Sequence, residues 1–266
     1  MNIGVLIKQV PDMEKVKFNS ERGLIDRKSA GTEINPFDLN ALEAAIQLRE
    51  MTDGKVTAIS MGPPSAEEAL REAIARGADE GFLISDKHFG GADTKATAHT
   101  LSAAIKKLGG FTLIIAGEKT VDGDTGQVGA ETADYLNIPH VSYVSHIQAV
   151  NLDNIQVISD IWSGRYLKEM ALPGLLTVTK NINTPRLPSF KRKMAARKAE
   201  INKLTFEDLK EYIALEECGL KGSPTWVNKI EVPPTATRKG KIIRNDTETA
   251  VNLLVELFKE MKVMEG

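Results

Sequence analysis

Short apolar runs alternate with longer stretches of helical spacing over roughly the first 140 residues. Ile3 to Val10 (IGVLIKQV) reads as a buried strand that ends at Pro11-Asp12. Residues 13–34 are polar and irregular, with a hairpin expected around Glu21-Arg22-Gly23. Asn35-Pro36-Phe37-Asp38 then starts a helix. Pro36 suits the first turn, Asn35 or Asp38 can cap it, and Leu42, Ala45, Ile46 and Met51 supply its apolar face. Lys55 to Met61 is a second strand, stopped by Gly62-Pro63-Pro64. Ser65 with Glu68 three residues on is a capping-box pattern for a helix that ends at Gly77. Gly81 to Ser85 is a third strand and Thr94 to Leu108 a third helix. This alternation predicts an α/β fold with a doubly wound, mostly parallel sheet.

The run from Leu113 to Leu136 (LIIAGEKTVDGDTGQVGAETADYL) reads as strand, glycine-rich loop, then helix. Gly123, Gly126 and Gly129 are spaced three apart, with Asp122, Asp124 and Thr125 among them. Such a loop turns several N–H groups toward one point and leads into a helix N-terminus, where free donors and the dipole favour phosphate. The spacing is neither G-x-G-x-x-G nor the Walker sequence, so an ordinary turn capped by Asp124 or Thr125 is an equal alternative on the loop alone. In parallel sheets, however, ligands sit beyond the carboxyl ends of the strands at a switch point. Lys8–Asp12, Met61-Gly62-Pro63 and Glu118–Gly129 fall there, and Asn35–Asp38 can join them. Three chain-distant polar segments around one point argue for a nucleotide site.

Beyond His140 the pattern shortens. Val141–Ile147, Ile155–Ile161, Arg165–Ala171 and Leu175–Val178 read as antiparallel strands added to the sheet edge, the last introduced by Pro173-Gly174. Residues 181–203 carry Lys191, Arg192, Lys193, Arg197 and Lys198, with Leu187, Phe190 and Met194 scattered among them. A solvated basic helix and a docking arm for an acidic partner both fit this segment. Residues 204–266 begin with a short helix, Phe206–Tyr212. A Gly/Pro-rich stretch from Gly219 to Pro234 follows, and reads as an arm laid on a neighbour. The last helix, from about Asp246 to Val263, has a stripe of Val251, Leu253, Leu254, Leu257 and Met261. The expected organisation is therefore an α/β domain over 1–180, a basic recognition loop over 181–203 and a C-terminal arm and helix over 204–266.

Composition changes this picture little. A hydrophobic content of 42% with 26% charged residues suits a soluble globular chain, and a net charge of −2 gives no reason to expect nucleic acid binding. The single Cys218 excludes an intrachain disulfide framework and suits a reducing cytoplasm. No run reaches the apolar length of a membrane span, and the N-terminus enters a strand directly, so a cytoplasmic protein is expected. His88, His99, His140 and His146 have no metal-ligand spacing and no nucleophile motif beside them. Asp122 and Asp124 lack basic neighbours in the loop, and Glu216-Glu217 reads as solvated surface. No catalytic side chain and no metal site is therefore expected, and redox chemistry would have to come from a bound cofactor.

Taken together, VLIKQVPD, INPFDLNALEAAIQL, AISMGP, ALREAIARGAD, GEKTVDGDTGQVGAETADYL and LPGLLTVTKNINTPRLPSFKRKMAARK, in that order, resemble the beta subunit of electron transfer flavoproteins over nearly the whole chain. The resemblance implies a heterodimer with an alpha subunit that carries a redox-active FAD, and a site in this subunit for structural AMP or a second FAD. By the same resemblance that site comprises Leu6, Asn35, Pro36, Phe37, Asp38, Met61, Glu118, Lys119, Thr120, Val121, Asp122, Gly123, Asp124, Thr125, Gly126, Gln127, Val128 and Gly129, with the last four donating amides to phosphate. The family's recognition loop for acyl-CoA dehydrogenases and related flavoenzymes maps onto Pro185–Lys198, with Arg186, Leu187, Phe190, Lys191 and Met194 facing the partner. The Val-Pro-Asp after the first strand and Gly-Asp-Thr-Gly-Gln-Val-Gly look like the electron-bifurcating branch. That branch uses FAD in this site, NADH as donor and a low-potential acceptor such as ferredoxin. The rival from another class is a universal-stress-type ATP- or AMP-binding protein, which shares the core and loop but gives no reason for the basic arm.

Overall fold

The computed structural model describes residues 1–12, 17–19, 24–26, 31–226, 228, 242 and 246–260. The chain forms two units, Met1–Asn228 and Lys229–Gly266.

In the first unit β1 (Asn2–Leu6) is followed by four small elements. These are β2 (Gln9–Pro11), β3 (Lys17–Asn19), β4 (Leu24–Asp26) and β5 (Thr32–Ile34). β3 pairs antiparallel with β4, as the expected hairpin requires, although its turn at Glu21-Arg22-Gly23 lies outside the described residues. The βα alternation then runs through α1 (Pro36–Thr52), β6 (Lys55–Met61), α2 (Glu67–Arg76), β7 (Glu80–Ile84), α3 (Thr94–Leu108), β8 (Leu113–Gly117) and α4 (Val128–Leu136). The rest comprises β9 (His140–Val150), β10 (Asn154–Ile161), β11 (Gly164–Ala171), β12 (Gly174–Val178), α5 (Phe190–Ala196), β13 (Asn202–Leu204), α6 (Phe206–Leu209) and α7 (Gly219–Gly222).

One nine-stranded sheet holds the unit together, in the order β11-β10-β9-β12-β8-β1-β6-β7-β13. The chain leaves β1, lays down β6 and β7 on one side, and returns through α3 to place β8 on the other. The switch point is thus the crevice between β1 and β8, which run parallel with Val5 opposite Ile115. Alternate strand residues feed opposite faces. Ile3, Val5, Leu113 and Ile115 pack with Leu42 and Ile46 of α1 and Leu70 of α2. Leu6, Ile114 and Ala116 pack with Leu101 and Ile105 of α3 and Ala133 of α4. Helices on both faces make the sheet doubly wound, as the alternation predicts.

Two expectations need correction. The strand after Pro173-Gly174 is not an antiparallel edge strand: β12 lies inside the sheet, parallel to both β8 and β9. Its five residues are all buried, which suits an unbroken apolar run with helices or sheet on either side. Only β10 and β11 extend the edge antiparallel. At the opposite edge, Asn202–Leu204 forms β13 beside Phe82–Ile84 of β7, so the boundary expected between 203 and 204 falls within a strand.

Two caps also differ. Ser65 sits in a 3-10 turn ahead of α2 and gives its helix no side-chain cap, because its hydroxyl donates to Gln9 Oε1 at 3.2 Å. Asn35 occupies the N-cap position of α1 without a side-chain cap bond.

The second unit contributes one described helix, α8 (Thr247–Glu260), with Val251, Leu254, Leu257 and Phe258 along it. Met261, expected in its stripe, and Val263, its expected end, lie outside the described residues, as do residues 229–234. Among the described residues no helix is long and apolar enough to cross a membrane.

Candidate functional site

The site is organised by the first turn of α1. β1 ends at Leu6, and Ile7 still bonds across to Ile59 O at 2.8 Å before the chain turns out at Lys8. β8 ends at Gly117, and Glu118 N donates to Val178 O at 3.0 Å, which ties the loop's departure to β12. Asp38 stands between the two strand ends. The Lys8 amide donates to its Oδ2 at 2.8 Å and the Gly117 amide to its Oδ1 at 3.2 Å. A Cβ at Gly117 would lie 2.4 Å from Asp38 Oδ1 and 2.7 Å from Phe37 Cβ, so glycine is what lets the carboxylate come so close. Asn35, fully buried, holds the loop one step further on. Its Oδ1 accepts from Val121 N at 3.1 Å and its Nδ2 donates to Lys119 O at 2.9 Å.

The loop then closes on itself through Asp124 N to Thr120 O at 2.8 Å. Asp124 and Gly126 take φ of +53° and +67°. Residues Asp122 to Gln127 are exposed. The first helical bond of α4 is Glu131 N to Gln127 O, so the amides of Val128, Gly129 and Ala130 precede it and have no partner inside the helix. Gly129 has a packing reason of its own, since a Cβ there would come within 2.3 Å of Thr177 Cγ2 on β12. Neither Asp124 nor Thr125 caps α4; Gln127 holds the N-cap position without a side-chain bond.

The expectation that Asp122 and Asp124 lack basic partners is overturned. Lys8 Nζ reaches Asp122 at 2.8 Å from β1's end, and Lys119 Nζ reaches Asp124 at 2.8 Å. Lys119 Nζ also stands 5.8 Å from the centre of the Phe37 ring. Both carboxylates that would repel an anion are therefore neutralised within the loop. Burial pushes Asp122 upward, but the Lys8 ammonium and the Thr120 hydroxyl outweigh it and hold the carboxyl below its ordinary range. Burial pushes Glu118 up. It drives Asp38 up to about 7, against the opposing pull of the Lys8 and Gly117 amides and of Asn35.

Of the residues expected here, direct bonds join Asn35, Asp38, Lys119, Thr120, Val121, Asp122 and Asp124 into one cluster with Lys8. Phe37 lies beneath Lys119, Pro36 opens α1, and Gly123 is open to solvent. Leu6 is buried in the core on the α3 side, and Met61 ends β6, one strand beyond β1. Lys8 entered the sequence reading only as the start of the Lys8–Asp12 segment, and the two loop carboxylates were the signal that a cation must meet them.

A second cluster anchors the basic segment. Glu43 of α1, with its side chain 5% exposed, accepts from Arg186 N, Nε and Nη2 at 3.1, 2.8 and 3.0 Å. Glu50 takes Nη1 at 2.6 Å, and Arg76 Nη1 donates to Arg186 O at 2.8 Å. Arg71 of α2 donates to the carbonyls of Ala196 and Arg197 at 3.4 Å. Beyond this clamp Leu187 is 85% exposed and Phe190 81% exposed, with Lys191 and Met194 also on the surface. Arg186 is thus engaged by two carboxylates of α1, with its side chain 32% exposed.

The remaining titratable candidates are occupied elsewhere. His99 stacks on Tyr135 with centroids 4.2 Å apart, and its pKa is held low by burial. His88 Nδ1 lies 2.8 Å from Asp86 Oδ1. Burial pushes the Cys218 thiol up to about 11, leaving it unreactive. Among the described residues no cluster of three metal-ligating side chains occurs.

Residues 23–209 match the family described as electron transfer flavoprotein domain. The chain is 44% identical over 265 residues to the electron transfer flavoprotein subunit beta of Thermoanaerobacterium thermosaccharolyticum, covering 99% of this chain and 100% of that one. It is 41% identical to the caffeyl-CoA reductase-Etf complex subunit CarD of Acetobacterium woodii, over 99% of this chain and 100% of that one. It is 39% identical to the acryloyl-CoA reductase electron transfer subunit gamma of Anaerotignum propionicum, over 98% and 99% respectively.

Proposed function

The chain belongs to the electron transfer flavoprotein family as a beta-type subunit, and from that premise we propose that it holds FAD over the β1–β8 crevice and passes electrons from NADH toward a partner flavoenzyme. The observation that carries this reading is the loop itself: an exposed turn at the sheet's switch point whose carboxylates are neutralised and whose free amides lead α4. That arrangement fits a diphosphate, because the helix end offers donors and positive potential while Gly126 keeps the backbone bare. The flavin, when bound, supplies the redox chemistry. This chain's own part is to bind and orient. The amides of Gly126, Gln127, Val128 and Gly129 are the donors for phosphate, and Lys8 and Lys119, paired with Asp122 and Asp124, keep those carboxylates from repelling it.

Leu187 and Phe190 are the anchors for docking, with Lys191, Arg192, Lys193, Arg197 and Lys198 steering an acidic surface toward them. The printed names of two relatives, a caffeyl-CoA reductase complex subunit and an acryloyl-CoA reductase electron transfer subunit, support a partner of the acyl-CoA dehydrogenase kind. An alpha subunit completes the heterodimer, and ferredoxin is the low-potential acceptor in the bifurcating form.

A second reading, structural AMP in the same cradle, is favoured by one feature. Residues 118–129 contain no aromatic side chain to stack on an isoalloxazine ring. Extraction and identification of nucleotides from the intact heterodimer tests both. Two FAD per heterodimer with NADH oxidation is the expected result. One FAD with one AMP moves the protein to the simple carrier form, and a colourless homo-oligomer with bound ATP overturns both.

A further inference from the structure

Asn35 and Asp38 are buried polar side chains beside the ends of β1 and β8, and the resemblance assigns both to the nucleotide. Their geometry assigns them otherwise. Each oxygen of Asp38 already accepts a backbone amide, one from the end of β1 and one from the end of β8, and the side chain is buried. Asn35 spends its amide oxygen and nitrogen on Val121 and Lys119. Both residues sit in one turn of α1, so four points on two strand ends and a loop are tied to a single rigid element. We infer that Asn35 and Asp38 are a positioning pair, which fixes the gap between β1 and β8 and the course of Lys119–Val121 and acts on the nucleotide only through the loop. This inference rests on the nucleotide reading above for its ligand.

The clasp depends on charge at one end. An ionised carboxylate accepts at both oxygens, whereas a protonated one turns an acceptor into a donor that faces an N–H. Burial places that change near neutral pH. The charged groups around Asp38 are Lys8, which is engaged by Asp122; Lys119, which is engaged by Asp124; and Glu118, next to Gly117. Burial raises the carboxyls of Asp38 and Glu118 alike, so these are the side chains of the cluster whose charge the fold disfavours.

The test uses the full-length heterodimer stripped of nucleotide, with AMP as the probe because its phosphate and adenosine are common to both candidate cofactors. Affinity is measured by calorimetry, and protection of the Lys8 and Gly117 amides by hydrogen exchange corrected for intrinsic rates. In the wild type, affinity is expected to fall about tenfold from about pH 8 to about pH 6, the loss of one charge-assisted bond. The phosphate of AMP also takes up a proton in this range, with a second pKa of about 6, so Asp38→Asn is expected to bind about tenfold more weakly at pH 8, to show a shallower pH response than the wild type and to deprotect both amides. Asn35→Ala removes the bonds to Val121 and Lys119 without adding a titrating group, so it should weaken binding while keeping the wild-type pH response, and it serves if Asp38→Asn does not fold. Wild-type affinity, pH response and protection in both variants would overturn the positioning role. AMP that fails to bind the wild type, with both amides still deprotected in Asp38→Asn, would sustain the clasp and overturn the nucleotide reading.

Discussion

Asp38 sets stability and site order against each other. Its pKa is raised from 3.8 to about 7 in the fold, so between those values the native state holds more proton than the unfolded chain. Stability should therefore fall as pH rises from about 4 to about 7, then level off, and Asp38→Asn should flatten that slope in urea titrations. A second prediction concerns Gly129, whose reason is packing against Thr177. Gly129→Ala should destabilise by about 1–3 kcal/mol, and Thr177→Ser, which removes the offending methyl, should recover part of it in a double-mutant cycle. Gly126 is different: space around it is ordinary, but its φ of +67° disfavours any side chain. Gly126→Val should cost about 1–2 kcal/mol and empty the nucleotide site, as read by nucleotide content after purification. At this scale the glycine-rich loop was legible from spacing. The partners of Asn35 and Asp38 were not, since a capping residue and a loop-bracing residue look alike until the third dimension brings residue 121 beside residue 35.

Among elements, α5 and the turn before it carry the sharpest expectation. Arg186 shields the buried Glu43, so Arg186→Ala leaves that charge with the amide of residue 186 and Gln47 as its remaining described partners. A loss of about 3–5 kcal/mol is expected, and Arg186→Ala combined with Glu43→Leu should be milder, by thermal denaturation. Leu187→Ala, by contrast, touches nothing that holds the fold. It should raise KM for the partner flavoenzyme while leaving flavin content and melting temperature unchanged; equal loss of both would make the segment structural. The charge run at 191–198 was visible in the sequence, but its anchorage was not, because the carboxylates that fix Arg186 lie more than a hundred residues earlier. The same applies to β12 and β13. An apolar GLLTV fits a central strand as well as an edge, and the polar NKL of β13 has no period to betray it, so only pairing assigns either.

For the whole molecule, the alternating pattern of the first 140 residues fixed the doubly wound architecture, and the order of strands placed the crevice where that architecture predicts. α1 touches both functional ends of it. Its first turn carries Asn35 and Asp38, Asn40 exchanges bonds with Asn183 at 2.9 and 3.0 Å, and Glu43 and Glu50 grip Arg186. A helix of 17 residues spans about 25 Å at about 1.5 Å per residue. The glycine-rich loop and the basic segment are thus mounted on one spindle. An extra residue let into α1 between Asp38 and Glu43 would twist one end against the other by roughly 100° and misalign the two stations it carries.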